Sequence, residues 1–133
     1  MSLDHVSVGV ADMQRSKAFY DAVLARLGIG PVMPVEMGGQ LVGVGYGDTP
    51  AKPDFWIQFP VNGQPATQGN GVHVAFHADT RAKVDAFHAA AMKLGGLDEG
   101  APGLRPHYHP SYYGAFVRDP DGNKIEACCH APE

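Results

Sequence analysis

The chain has 133 residues, which suits one compact domain or two tightly fused half-domains. With 44% hydrophobic and 18% charged residues it has the composition of a globular protein, and a net charge of −4 with scattered Lys and Arg offers no basic stripe to neutralise phosphates, which excludes nucleic acid as an expected partner. No apolar run approaches the ~20 residues of a membrane span, Met1-Ser2-Leu3-Asp4 lacks a signal peptide's pattern, and the only cysteines, Cys128 and Cys129, are adjacent and poorly placed to bridge; a cytoplasmic location is the expectation.

In chain order, Asp4-His5-Val6-Ser7-Val8-Gly9-Val10 is an alternating, β-branched run and reads as a strand. Asp12 then caps a helix running to about Leu27, with Phe19, Tyr20, Val23, Leu24 and Leu27 at helical spacing and Gly28 at its stop. Strand-like pieces follow at Gln40–Tyr46 and Asp54–Phe59. The segment 60–71 is polar and rich in Gly, Pro and Gln, the composition of a linker.

The plan then repeats with a shift of 68 residues. Val72-His73-Val74-Ala75-Phe76 is again a short strand. Asp79 or Thr80 caps a second helix, whose stripe is Val84, Phe87, His88, Ala91 and Met92, and Gly95-Gly96 ends it. Strands at Tyr112–Arg118 and Asn123–Cys129 flank the tight-turn signal Asp119-Pro120-Asp121-Gly122-Asn123. Each half, counting one weaker strand, reads β-α-β-β-β. The fold class is therefore α+β: two βαβββ modules forming a cupped mixed sheet with the helices outside. It is one domain over 1–133, with module 1 at about 1–60, a linker at 61–71 and module 2 at about 72–130.

Alternation places His5, Ser7 and Gly9 on one face, His73, Ala75 and His77 on its equivalent, and Glu126, Cys128 and His130 on another. The shift superposes His5 on His73 and Ile57-Gln58 on Ile125-Glu126. Two imidazoles and a carboxylate meeting in one cavity make a site of borderline hardness, suited to Zn, Ni, Co, Mn or Fe as a single divalent ion. A buried Glu126 between Ile125 and Ala127 is costly unless it is paired or metal-bound.

A second informative stretch is Leu104-Arg105-Pro106-His107-Tyr108-His109-Pro110-Ser111-Tyr112-Tyr113, dense in His, Tyr and Arg. Arg105 is the candidate anion clamp. His107 and His109 are candidate acid/base groups. Tyr112, a substrate contact, and Tyr113, a catalytic candidate, could donate to an oxyanion. Trp56, on Gln58's face, is a candidate pocket wall, and Cys128, two residues beyond Glu126, a candidate cavity lining.

Asp4-His5-Val6-Ser7-Val8-Gly9-Val10 with Arg15-Ser16-Lys17-Ala18-Phe19-Tyr20 resembles the opening of proteins of the glyoxalase/bleomycin-resistance/extradiol-dioxygenase family, the vicinal-oxygen-chelate superfamily. Gly71-Val72-His73-Val74-Ala75-Phe76 resembles the start of its second module, and Phe116-Val117-Arg118-Asp119-Pro120-Asp121-Gly122-Asn123-Lys124-Ile125-Glu126 its closing hairpin. The resemblance covers nearly the whole chain. It implies the paired-module fold, a metal open to two substrate oxygens, His5, His73 and Glu126 as ligands, and Gln58 at the fourth position. Bacterial glyoxalase I enzymes place a carboxylate there, and a Gln cannot act as a base near neutral pH. The expected activity is that of a metal-dependent, glyoxalase-like lyase or isomerase on a small oxygenated substrate, with Glu126 as the base. The alternatives are an extradiol-type dioxygenase and a non-enzymatic drug-binding protein. The family's modules pair within one chain or across two, which makes a homodimer the expected assembly.

Overall fold

The computed structural model describes residues 2–133. The elements run β1 (Val6–Gly9), α1 (Met13–Ala25), β2 (Gly30–Met37), β3 (Gln40–Gly47), β4 (Phe55–Gln58), β5 (Val74–His77), α2 (Arg81–Lys93), β6 (Leu97–Leu104), β7 (Tyr113–Arg118) and β8 (Lys124–Cys129). They form two four-stranded sheets, ordered β1-β4-β3-β2 and β5-β8-β7-β6. In each, the first strand pairs in parallel with the last and all other pairs are antiparallel. The two-module α+β plan expected from the repeat is thus what the chain adopts. The two weaker strands are β2 and β6, and neither module's sheet hydrogen-bonds to the other's.

Local signals explain the helix ends. The Asp12 side chain accepts from the Arg15 N–H at 3.0 Å, and Thr80 does the same for Lys83 at 3.2 Å. Each satisfies one of the amides that a helix start leaves unpaired. Thr80, rather than Asp79, is therefore the second cap. Gly28 (φ 78°) and Gly95 (φ 88°) turn the chain away after each helix, in a region that residues with a Cβ avoid. The two helices are separated by 68 residues, as are β1 and β5.

Every second strand residue faces the helices. Val44, Tyr46, Phe55 and Ile57 of the first sheet, and Phe76, Ala115, Val117, Ile125, Ala127 and Cys129 of the second, join Phe19, Tyr20, Val23, Leu24, Val84, Phe87 and Ala91 in one hydrophobic cluster. The core therefore lies on the helix side of both sheets and runs through both modules, as the edge-to-face contact of Phe55 and Phe76 at 5.1 Å shows. The opposite, open faces carry Ser7, Trp56 and Gln58 in one module and Ala75, His77, Glu126, Cys128 and Phe116 in the other. Among the described residues no helix is long and apolar enough to cross a membrane.

On the first open face, Trp56 pairs with Gly45 across the ladder. A Cβ at Gly45 would stand 2.8 Å from both Cζ2 and Cη2 of the indole and 2.8 Å from Pro53. Gly45→Ala must displace the ring or the backbone, and overpacking of this kind costs about 1–3 kcal/mol. Urea denaturation monitored by the fluorescence of Trp56, the chain's one tryptophan, should show a lower midpoint with an altered emission maximum. An unchanged midpoint would mean that the ring does not rest on Gly45.

Candidate functional site

The register of the last strands corrects one part of the repeat. Val6 pairs with Phe55 and Ser7 with Trp56, whereas Val74 pairs with Ile125 and Ala75 with Glu126. The residue just after β1 and β5 agrees, because the Val10 N–H donates to Gln58 O and its counterpart, the Ala78 N–H, donates to Cys128 O. The structural counterpart of Glu126 is therefore Trp56, and that of Gln58 is Cys128. The simple 68-residue shift, which superposes Gln58 on Glu126, fails by two residues at this strand. The fourth position of the expected ligand set carries an indole, which has no lone pair to offer a metal.

The predicted metal-binding residues fall in three places. His73 Nε2 lies 2.9 Å from Glu126 Oε1, with the Glu126 side chain 2% exposed and that of His73 39%. His5 precedes β1 rather than belonging to it. Its Nδ1 lies 2.6 Å from Asp4 Oδ1, and its ring lines a cleft of about 910 Å³ between the modules, together with Lys52 and His77. Gln58 lines a separate cavity of about 400 Å³, with Ser7 and Gly9 on its floor and the linker residues Asn62, Gln64 and Thr67 around it. Among the described residues no three His, Cys, Asp or Glu stand together as metal donors. Tested on its donor set, one chain thus supplies two convergent donors, an imidazole and a carboxylate, where a divalent ion needs at least three protein ligands to be held firmly.

Around Glu126 the second open face can be read row by row. Phe116 stands opposite Glu126 on β7 and Ala75 on β5, while Gly114 and His77 flank Cys128. The Tyr112 hydroxyl donates a hydrogen bond to Glu126 Oε2, so the carboxylate is held on one oxygen by a phenol and on the other by an imidazole. Burial, the bond to Glu126 and the nearby Cys128 push the Tyr112 hydroxyl far above the ordinary tyrosine range, so it remains a donor. Gly114 makes this arrangement possible: a Cβ there would lie 3.1 Å from Glu126 Oε2 and 3.2 Å from the Tyr112 ring. Cys128 is buried on the same face, and desolvation raises its thiol, which speaks against a resting thiolate.

The loop between β6 and β7 closes this end of the sheet through Arg105 N–H to Tyr112 O (2.7 Å) and Tyr112 N–H to His109 O (3.1 Å). His109 reaches the site's margin. Its Nε2 is 2.8 Å from His130 Nδ1, and both rings stand edge-on to Tyr112. The Ser111 N–H donates to His109 Nδ1 at 3.1 Å. His109 therefore carries its proton on Nε2 and donates to His130, whose own proton sits on Nε2, the nitrogen 3.8 Å from the Cys128 sulfur. His130, which alternation places on the face of Glu126 and Cys128, is a member of this cluster. The signal for it was the alternation Glu126, Cys128, His130.

Two catalytic candidates lie elsewhere. Tyr113 points to the other face, where its hydroxyl donates to Asp85 of α2 at 2.6 Å and its ring packs on the core. Adjacent strand residues face opposite ways, so only one of the tyrosines could reach Glu126. His107 is exposed and stands against Tyr108, with ring centroids 4.3 Å apart, and makes no hydrogen bond to the carboxylate among the described residues. His88, expected in the second helix's packing stripe, is half-buried and pairs with Asp98 at 3.0 Å. Arg105 lies over the Phe116 ring, its carbon 5.5 Å from the centroid.

Known proteins agree with this architecture. Residues 2–127 match the Glyoxalase/Bleomycin resistance protein/Dioxygenase superfamily. Among solved structures, a glyoxalase/bleomycin resistance protein from Albidiferax ferrireducens is 45% identical, with a TM-score of 0.83 over 98% of this chain and 100% of that one. A glyoxalase/bleomycin resistance protein/dioxygenase family enzyme from Burkholderia phytofirmans is 21% identical, with a TM-score of 0.72 over 98% and 100%. A lactoylglutathione lyase from Agrobacterium tumefaciens is 22% identical, with a TM-score of 0.64 over 96% and 92%; likenesses at that level speak for the fold. No curated protein sequence matches. By sequence and by architecture, the chain belongs to the Glyoxalase/Bleomycin resistance protein/Dioxygenase superfamily.

Proposed function

We propose that this protein is a metal-dependent enzyme of the glyoxalase-like lyase or isomerase type, acting on a small substrate with two neighbouring oxygens. Its site is shared between two copies of the chain. The observation that carries the reading is the pair His73–Glu126: an imidazole nitrogen and a carboxylate oxygen 2.9 Å apart on an open sheet face, the carboxylate buried and held from its far side by Tyr112. These are two of the three donors of a two-His, one-carboxylate set. His5, which does not join this pair in its own chain, is the third donor, contributed by the partner copy's first module.

A bound divalent ion would polarise the two substrate oxygens and stabilise an oxyanion between them. The chain's own residues do the rest. Glu126 is the group that takes the proton from the substrate carbon, and its position is fixed by His73 and Tyr112. When Glu126 takes that proton, it no longer needs the phenol, and Tyr112 is freed to donate to the developing oxyanion. His109 and His130 stand beyond Tyr112 as the next groups able to pass a proton to water.

The test is Glu126→Gln, which keeps the shape and removes the basic oxygen. Metal-reconstituted Glu126→Gln should lose at least about a hundredfold in turnover of a 2-oxoaldehyde hemithioacetal or similar substrate, and its metal content should fall. Full metal-dependent turnover in this variant would end the assignment.

One finding favours a second reading. With Trp56 in the fourth position, the protein ligands number three, and a two-His, one-carboxylate set with open positions is the arrangement of non-haem Fe(II) oxygenases. An extradiol-type ring-cleaving reaction fits that set, and oxygen uptake with catechols under Fe(II) loading separates it from the first.

A further inference from the structure

The second open face carries an arrangement of charge that the metal reading leaves unused. Three cations border it: Arg105, Arg118 and Lys124. Arg118 is neutralised, its Nε 2.5 Å from Glu99 Oε1. Arg105 and Lys124 have no carboxylate within ion-pair distance among the described residues, and the nearby carboxylate, Glu126, is engaged by His73 and Tyr112. Instead both cations lie on one aromatic ring. The Arg105 guanidinium carbon is 5.5 Å and Lys124 Nζ 5.2 Å from the Phe116 centroid, and the His73 ring stands edge-on to Phe116 at 5.7 Å.

The guanidinium is placed, not merely resting there. Its Nη1 donates to Gly103 O and its Nη2 to Ala101 O, both at 2.9 Å, which leaves donors of the fork uncommitted. The strand beneath makes room for it: a Cβ at Gly100 would lie 3.1 Å from Nη2, and one at Gly103 3.2 Å from Nη1. Two like charges gathered on one ring repel each other, and a ring repays only part of a cation's lost hydration. Once a second copy covers this face, that charge needs an anion.

We propose that Arg105 and Lys124 form an oxyanion subsite beside the His73–Glu126 pair, so that the substrate is a small acid. Its carboxylate or phosphate is bound here while its two neighbouring oxygens face Glu126. Phe116, opposite Glu126 in the ladder, is the floor that joins the two subsites. A fork and an ammonium recognise such a group by charge-assisted hydrogen bonds. The inference rests on the reading of His73–Glu126 as the reacting centre, and its test uses neither metal nor turnover.

Chelator-treated, ¹⁵N-labelled full-length protein is titrated with inorganic phosphate, with glycolate and with the neutral glycolamide. The backbone amides of Gly100 and Gly103 and the Nε of Arg105 are followed by NMR. One or both anions should shift these resonances saturably, and the one bound more tightly tells phosphate from carboxylate. Glycolamide should leave them in place. Arg105→Gln and Lys124→Gln should each weaken the preferred anion about tenfold, with Arg105→Lys falling between wild type and Arg105→Gln. Glu126→Gln should not weaken it, so loss of the metal site and loss of this subsite give different patterns. The proposal is overturned if glycolamide shifts the same resonances as strongly as glycolate, if neither anion saturates, or if both Gln variants bind within twofold of wild type while retaining the wild-type amide spectrum elsewhere.

Discussion

Two metal-poor variants, His5→Ala and His73→Ala, should regain metal when their subunits are mixed. In a two-fold dimer with sites shared between copies, His5 of one chain serves His73 of the other, so each variant alone has both sites broken and binds its metal more than about a hundredfold more weakly. A mixed dimer joins the intact His5 of one variant to the intact His73 of the other. It restores one site and leaves the second doubly broken. With random pairing roughly a quarter of wild-type metal returns, carried entirely by the mixed dimer. Elemental analysis of the separated mixed dimer, with one variant carrying a charge tag, measures this directly. The motivating geometry is that His5 lines the cleft between modules with Lys52 and His77 while His73 meets Glu126 on the open face. Full metal binding by His5→Ala would remove His5 from the site. A mixed dimer as empty as its parents would show that the two histidines do not act across chains.

That separation of His5 from His73 marks where the sequence stops being sufficient. Helical spacing, the cap residues Asp12 and Thr80 and the glycine stops are local, and both helices form where they predict. The assignment of faces survived too, but for a subtle reason. The last strand of module 2 is offset by two residues from the 68-residue repeat, and a two-residue slip returns every side chain to the face it left. Ile125 and Ala127 therefore face the core and Glu126 and Cys128 the open side, as alternation requires, yet the residue opposite Glu126's place in module 1 is Trp56 rather than Gln58. Only the hydrogen-bond register reports that difference. Tyr112 and Tyr113 pose a similar problem. The pair must split between faces, but the pattern does not say which residue goes where until the ladder begins at Tyr113. The meeting of His109 with His130 joins a loop to the strand end 21 residues away, and nothing in local periodicity encodes it.

The largest loss of stability from a single residue outside the apolar core should come from Asp119→Ala, at about 3–5 kcal/mol. Asp119 sits in the turn before β8 and is 2% exposed. Its Oδ2 accepts from the Tyr20 hydroxyl at 2.6 Å and from Asn123 Nδ2 at 3.0 Å, and its Oδ1 from the N–H groups of Asp121 (2.9 Å) and Asn123 (2.8 Å). Tyr20 belongs to α1, so this carboxylate joins the first module's helix to the second module's closing hairpin. Asn123 completes the joint by donating to Gly9 O at 3.0 Å. Burial is the largest influence on the acid and raises its pKa, offset in part by the four donors. With the folded pKa raised, the proton-linked stability is fully present below the unfolded value and is lost as pH rises through the folded one. Near neutrality the ionised group is held at a cost, and the donors repay it. Removing the carboxylate strands all four, including a phenol whose own ionisation is driven far out of reach by burial and the neighbouring charge. Tyr20→Phe removes one donor and leaves the other three in place, so about 1–2 kcal/mol is expected. Because the two residues share a bond, the double variant should be less destabilised than the sum of the singles. Urea denaturation of all three variants measures the cycle. An Asp119→Ala loss below about 1 kcal/mol, or strict additivity with Tyr20→Phe, would show that the Asp119–Tyr20 link does not hold the two modules together.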